Sequence, residues 1–172
     1  MHTIELLRQF PDILREVVAR VPGELMRTRS RDGEFSLVEH AWHLADLEEE
    51  GYALRIRRLL EEERPRLADF EGDAIAQQRR YIEKPVGPAV ERFALQRRSN
   101  AERLAQLQHF HWQRAGVQDG VGDVTLARLP AMMLAHDLEH ACDLVELLGE
   151  LGVAPDGELV RFASAKRSVP GI

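Results

Sequence analysis

Two histidines four residues apart stand in Ala135-His136-Asp137-Leu138-Glu139-His140-Ala141-Cys142-Asp143. On an α-helix, residues at i and i+4 lie about 40° apart around the axis and one turn along it. Both imidazoles can then reach one metal ion. Asp143 and Leu147 fall on the same strip, and Met133 borders it. The strip is mostly apolar, with two histidines and one carboxylate embedded in it. Spacing alone also suits two satisfied core histidines or two surface ones. The apolar surroundings favour a metal, because a neutral imidazole in a core needs partners for its nitrogens, and an ion supplies one. Cys142 lies away from the strip and is not a proposed ligand.

A third ligand has to come from another helix. His40 and His43 are available, in a projected row with Leu47 and Leu54 and with Glu50 at its edge. Periodicity does not choose between the two histidines, and either alone also reads as a satisfied or exposed side chain. Metal-bound histidines usually pass their second N–H to a carboxylate or carbonyl. Asp46, Glu50 and Asp143 are therefore the carboxylates to test as such partners or as a general base. For Asp46 and Glu50 the plainer reading is a solvated helix face; for Asp143, on the histidine strip, that reading is weaker. The runs Glu48-Glu49-Glu50 and Glu61-Glu62-Glu63 read as solvated faces. His109 and His111, two apart in Gln108-His109-Phe110-His111-Trp112, read as exposed histidines on a helix end that packs Phe110 and Trp112.

The elements that must position these residues are helices. A first helix is expected over Thr3–Arg20, ended by Val21-Pro22-Gly23, with a loop at Arg27–Glu34. Ser36-Leu37-Val38-Glu39 is a capping box that opens a second helix running to about Glu63, before Arg64-Pro65. A short helix spans Asp73–Ile82. Pro88 suits a first helical position and starts a third long helix running to about Gln108. Ala115–Asp123 reads as a glycine-containing loop. The fourth long helix begins between Thr125 and Pro130 and ends near Leu148-Gly149, and the tail after Pro155 has room for one more short helix. No stretch alternates with period two, so essentially no sheet is expected. The fold class is all-α, a four-helix bundle. The longest connection, between the second and third long helices, permits a crossover as well as a simple up-and-down path.

The 172 residues suit one domain, 1–172, with a core over about 3–151 and a short extension over 155–172. The net charge of −6 and the absence of a basic stripe speak against general nucleic-acid binding. No apolar run approaches the roughly 20 residues of a membrane span. The start lacks the pattern of a signal peptide, and the single cysteine allows no intrachain disulfide. A cytoplasmic protein is expected.

Phe35-Ser36-Leu37-Val38-Glu39-His40-Ala41-Trp42-His43-Leu44-Ala45-Asp46-Leu47-Glu48 resembles the second-helix signature of the DinB-like (YfiT-like) superfamily. That signature has an aromatic and a Ser at the helix start and then a His-Leu-x-Asp core. Ala135-His136-Asp137-Leu138-Glu139-His140 is similar to the same family's fourth-helix motif, and the resemblance spans roughly Leu6 to Leu151. It implies a crossover four-helix bundle, often dimeric, with one divalent metal on three histidines matching His43, His136 and His140. Relatives include metal-dependent thiol transferases, a mycothiol-dependent maleylpyruvate isomerase and the amino-terminal domains of sulfoxide synthases. Asp143 departs from the Gln that many members carry, which puts the transfer of any one relative's activity in doubt. Three neutral imidazoles with an open position form the ligand set of a catalytic site. Nitrogen donors suit zinc, nickel, iron or copper. The expected function is a metal-dependent hydrolase or thiol-linked S-transferase acting on a small molecule, with a low-molecular-weight thiol as co-substrate in the second case. The expected protein is a homodimer without nucleic acid or membrane. The alternative is a bundle that binds metal or a small ligand without turnover.

Overall fold

The computed structural model of the protein describes residues 2–168. Its helices are α1 (His2–Arg20), α2 (Leu37–Asp46), α3 (Leu54–Glu61), α4 (Gly72–Gln78), α5 (Val86–Ala105), α6 (Leu129–Glu150) and α7 (Gly157–Ser164). A π-wound segment, Leu47–Ala53, joins α2 and α3 into one rod. With α1, α5 and α6 this rod makes the expected four-helix bundle. The capping box forms as read: the Ser36 hydroxyl accepts from the Glu39 amide at 3.4 Å, and the Ser36 amide donates to the Glu39 carboxylate at 3.0 Å. Arg29, in the preceding loop, clamps the same carboxylate. The tail helix expected after Pro155 is α7, and residues 169–172 of that extension lie outside the described residues.

Contacts between the rod and α5 advance together along both. Trp42 donates to the Pro85 carbonyl, Asp46 pairs with Arg92, and Glu48 pairs with Arg97. The two are therefore parallel. α1 runs against α5, with Arg15 at Glu91 and the Leu7 carbonyl at Arg97. α6 runs against α2, with His40 beside His140 and His43 beside His136. The chain goes up, down, down and up, so residues 62–85 must carry it back along the bundle between two parallel helices. This is the crossover.

Four sequence expectations are corrected. Essentially no sheet was expected, yet β1 (Arg66–Leu67) pairs parallel with β2 (Ala115–Gln118), which pairs antiparallel with β3 (Gly122–Thr125). Strands of two to four residues are too short to show a period, so this ribbon reads as loop. The available signal was Asp119-Gly120, a hairpin dipeptide, with Gly120 at φ +74°. The histidine row projected to Leu54 fails because π winding changes the angle per residue beyond Leu47. Leu54 is 37% exposed, whereas Tyr52 and Ile56 are buried. Glu48 is no part of a solvated face. It is buried, while Glu49 and Glu50 are exposed. Phe110 is exposed too, and only its neighbour Trp112 packs on the core.

The bundle centre holds one charged network. Arg97 is buried and donates to Asp137 through both terminal nitrogens, to Glu48 at 2.8 Å and to the Leu7 carbonyl at 3.1 Å. Asn100 donates to the second Glu48 oxygen at 2.8 Å. The Leu7 carbonyl is free because Pro11 stands inside α1 four residues later and has no N–H to offer it. Burial works against the Arg97 charge, but the two carboxylates more than offset it and its pKa is raised. Breaking a buried pair by removing one partner leaves an uncompensated charge, at a cost of about 3–5 kcal/mol. Asp137→Ala should therefore lose about that much stability in urea unfolding. A loss below about 1 kcal/mol would show that Arg97 does not depend on this carboxylate.

Candidate metal centre

The capped start of α2 and the middle of α6 face each other, and four imidazoles meet between them. His43 Nε2 lies 3.1 Å from His136 Nε2, and His140 Nε2 lies 3.2 Å from the same atom. His43, His136 and His140 together form a group that could hold a metal ion. His40 stands behind this group, with its Nδ1 2.7 Å from His140 Nδ1. The walls are aromatic. Phe35 packs on His40 and His43, Phe70 on His43, and Tyr52 on His136. A Cβ at Gly72 would sit 2.5 Å from His43 Cε1, so only glycine lets the start of α4 close over that ring.

Hydrogen bonding alone does not satisfy this arrangement. Each neutral imidazole has one donor and one acceptor nitrogen. His136 Nε2 faces two other Nε2 atoms at once, and His43 Nδ1 is buried without a hydrogen-bond partner among the described residues. Three lone pairs turned toward one point suit an electrophile. On a tetrahedral ion with bonds of 2.0–2.1 Å, neighbouring nitrogens stand about 3.3 Å apart, close to the two separations here. The donor set therefore fits a divalent ion.

The electrostatics hold these groups neutral. Burial, reinforced by the charge His43 would carry, lowers His40 to about 3. Burial lowers His43 to about 4, against the opposing pull of Asp73 and Asp46. His136 and His140 lie well below the ordinary value through burial first and then through their neighbouring histidines. Metal ligation requires neutral imidazoles, and these remain neutral far into acid.

The sequence-predicted carboxylates part company. Asp46 is buried, but Arg79, Arg92 and Tyr81 take its oxygens. Glu50 is exposed and pairs with Arg79. Among the described residues neither accepts a hydrogen bond from a histidine. Asp143 is exposed, and one of its oxygens comes within 4.8 Å of ring nitrogens of His40 and His140. Partial burial and then the nearby Glu146 raise its pKa. His109 and His111 lie on a 3₁₀ turn after α5, outside the cluster. Sequence reasoning missed Tyr52, which packs on His136, and the buried network of Glu48, Arg97 and Asp137.

Three comparisons bear on this geometry. The family model of the DinB superfamily matches residues 6–142. A solved structure, YfiT from Bacillus subtilis, described as a probable metal-dependent hydrolase with an unusual four-helix bundle topology, superposes with a TM-score of 0.82. It is 19% identical, and the match covers 89% of this chain and 87% of that one. Among curated proteins none matches the sequence.

The depressed imidazoles fix a pH dependence. An unfolded histidine takes up a proton near pH 6.5, and the folded one does so only near the lower values above. As pH falls below about 6.5 the unfolded state binds more protons, so stability is lost, by up to about 1.4 kcal/mol per pH unit for each imidazole. For His43 and His40 the loss continues down to about 4 and about 3. Urea unfolding of chelator-treated protein at pH 7.5, 6.5 and 5.5 should show little change over the first step and a steep drop over the second. Equal stability at all three would contradict the buried neutral cluster.

Proposed function

The chain belongs to the DinB superfamily, and on that footing we propose that it is a metal-dependent enzyme holding one divalent ion on His43, His136 and His140. The observation that carries this reading is the convergence of three neutral Nε2 atoms, 3.1 and 3.2 Å from one another through His136. Three protein nitrogens leave a position for substrate, and zinc, nickel and iron all accept such a set. A bound ion would supply Lewis acidity for polar bond cleavage.

Hydrolysis is the favoured reaction class, in keeping with the description of YfiT. Thiol-linked S-transfer is the second class. Its thiol would be a low-molecular-weight co-substrate, because the chain's own Cys142 lies in weak contact with the Ala163 carbonyl of α7. The chain's residues divide the remaining work. Phe35, Phe70 and Tyr52 limit the approach of water, and Gly72 leaves room for the His43 ring. Asp143 is the carboxylate best placed to accept a proton at the edge of the cluster, while Asp46 and Glu50 brace the rod through arginines. The proposal takes the chain as one domain acting in the cytoplasm, as a homodimer, on a small molecule. Among the described residues no helix is long and apolar enough to cross a membrane.

Elemental analysis of untagged protein purified without added metal should find about one equivalent of zinc, nickel or iron. His136→Ala should lose it while keeping its helical circular dichroism. Added metal should raise the melting temperature and chelator should lower it. A chain that carries no metal as purified, and retains none after incubation with each ion, would remove the basis of the enzymatic reading. Metal without turnover across ester, amide and thiol-transfer substrates would leave the non-catalytic binding bundle.

A further inference from the structure

His40 is the one imidazole of the four that the ligand set does not use. It is 3% exposed, and its ring stands at 88° to that of His140. The two Nδ1 atoms are 2.7 Å apart, a hydrogen-bond separation. The roles in this bond are decided by the other edge of His140. A neutral imidazole carries one N–H. If His140 offers its Nε2 lone pair toward His43 and His136, its proton must sit on Nδ1. His40 Nδ1 is the atom that faces it and must accept, which puts the His40 proton on Nε2.

We propose that His40 is a positioning residue that accepts the His140 Nδ1–H and so fixes the tautomer and ring plane that present His140 Nε2 to the metal. This rests on the metal reading above. Such partners orient ligands in metal sites generally, and removing one lowers metal affinity by about 10–100-fold. A competing arrangement exists on the same residues, because His40, His140 and Asp143 also form a group within reach of one ion. The nitrogen separation argues against it. At 2.7 Å the two Nδ1 atoms are much closer than the roughly 3.3 Å between imidazole nitrogens on a tetrahedral ion. If both centres were filled at once, His140 would also have to give up its last proton to ligate through both nitrogens. The exposed Asp143 borders the pair instead of completing a second centre.

The test measures zinc affinity by chelator competition, and zinc stoichiometry, for the full chain, His40→Phe and His40→Asn. Phenylalanine keeps the bulk and removes the acceptor, while the asparagine amide oxygen stands where Nδ1 stood. The expected result is one equivalent throughout, an affinity about 10–100-fold weaker for His40→Phe, and recovery of most of it in His40→Asn. A purely structural role would follow bulk and would favour Phe over Asn. Because His40→Phe can also fail to fold, ¹⁵N NMR of the zinc-loaded wild-type chain gives an independent readout. A protonated, slowly exchanging His140 Nδ1 supports the proposal, and an unprotonated one overturns it. Unchanged affinity in a folded His40→Phe also overturns it, as does a second equivalent of zinc that disappears with His40. A wild-type chain that binds none of zinc, nickel and iron overturns the metal reading, and this inference falls with it.

Discussion

Arg97 brings a full positive charge to the centre of the bundle, and the surrounding helices are arranged to answer it. Glu48 comes from the π-wound rod, Asp137 from α6, and a backbone carbonyl from α1. A buried guanidinium left unpaired is very unfavourable, so these elements can meet in only one relative register. Pro11 belongs to the same solution. A proline inside a helix normally forfeits a hydrogen bond, and here the carbonyl it releases goes to Arg97. Because Asp137 is next to His136 in sequence, the register that satisfies the charge also sets the height at which the histidines face one another.

Above this charged layer the chemistry changes to neutral donors in an apolar setting. Burial suppresses protonation of the imidazoles, and aromatic rings enclose them. The two layers are complementary. The lower one supplies fixed position through strong paired charges, and the upper one supplies imidazole nitrogens that converge on one another. An electrophile in the upper layer is therefore favoured by the donor set, in which His136 Nε2 faces the Nε2 atoms of both His43 and His140.

Much of this was legible in the sequence. The helices, the capping box at Ser36 and the histidine strip of α6 follow from local spacing alone. The choice between His40 and His43 did not, because both lie on the buried side of α2 and differ only in which edge of His140 or His136 they meet. The charged network left a trace that single-helix reading discounts. Glu48, Arg97 and Asp137 each interrupt an apolar row of their own helix, as in Val90, Phe93, Arg97 and Leu104. Seen singly, such a residue reads as surface; only the juxtaposition of three helices shows that the interruptions coincide. Beyond Leu47 the projection itself fails, since a wheel drawn at the α-helical angle cannot follow a π-wound turn.

The up-down-down-up path also governs how the molecule comes into being. Helices consecutive in the chain do not supply the principal interfaces of α1, which packs on α5 and α6, and the parallel α2–α5 pair cannot close as a hairpin. Early local pairing is thus little rewarded, and loop-closure entropy must be met before the long-range contacts form. His43 and His136 are 93 positions apart, so their meeting marks the end of that process. Ligation by all three histidines would need α2 and α6 already brought together, so a bound ion would act as a clasp on the finished topology.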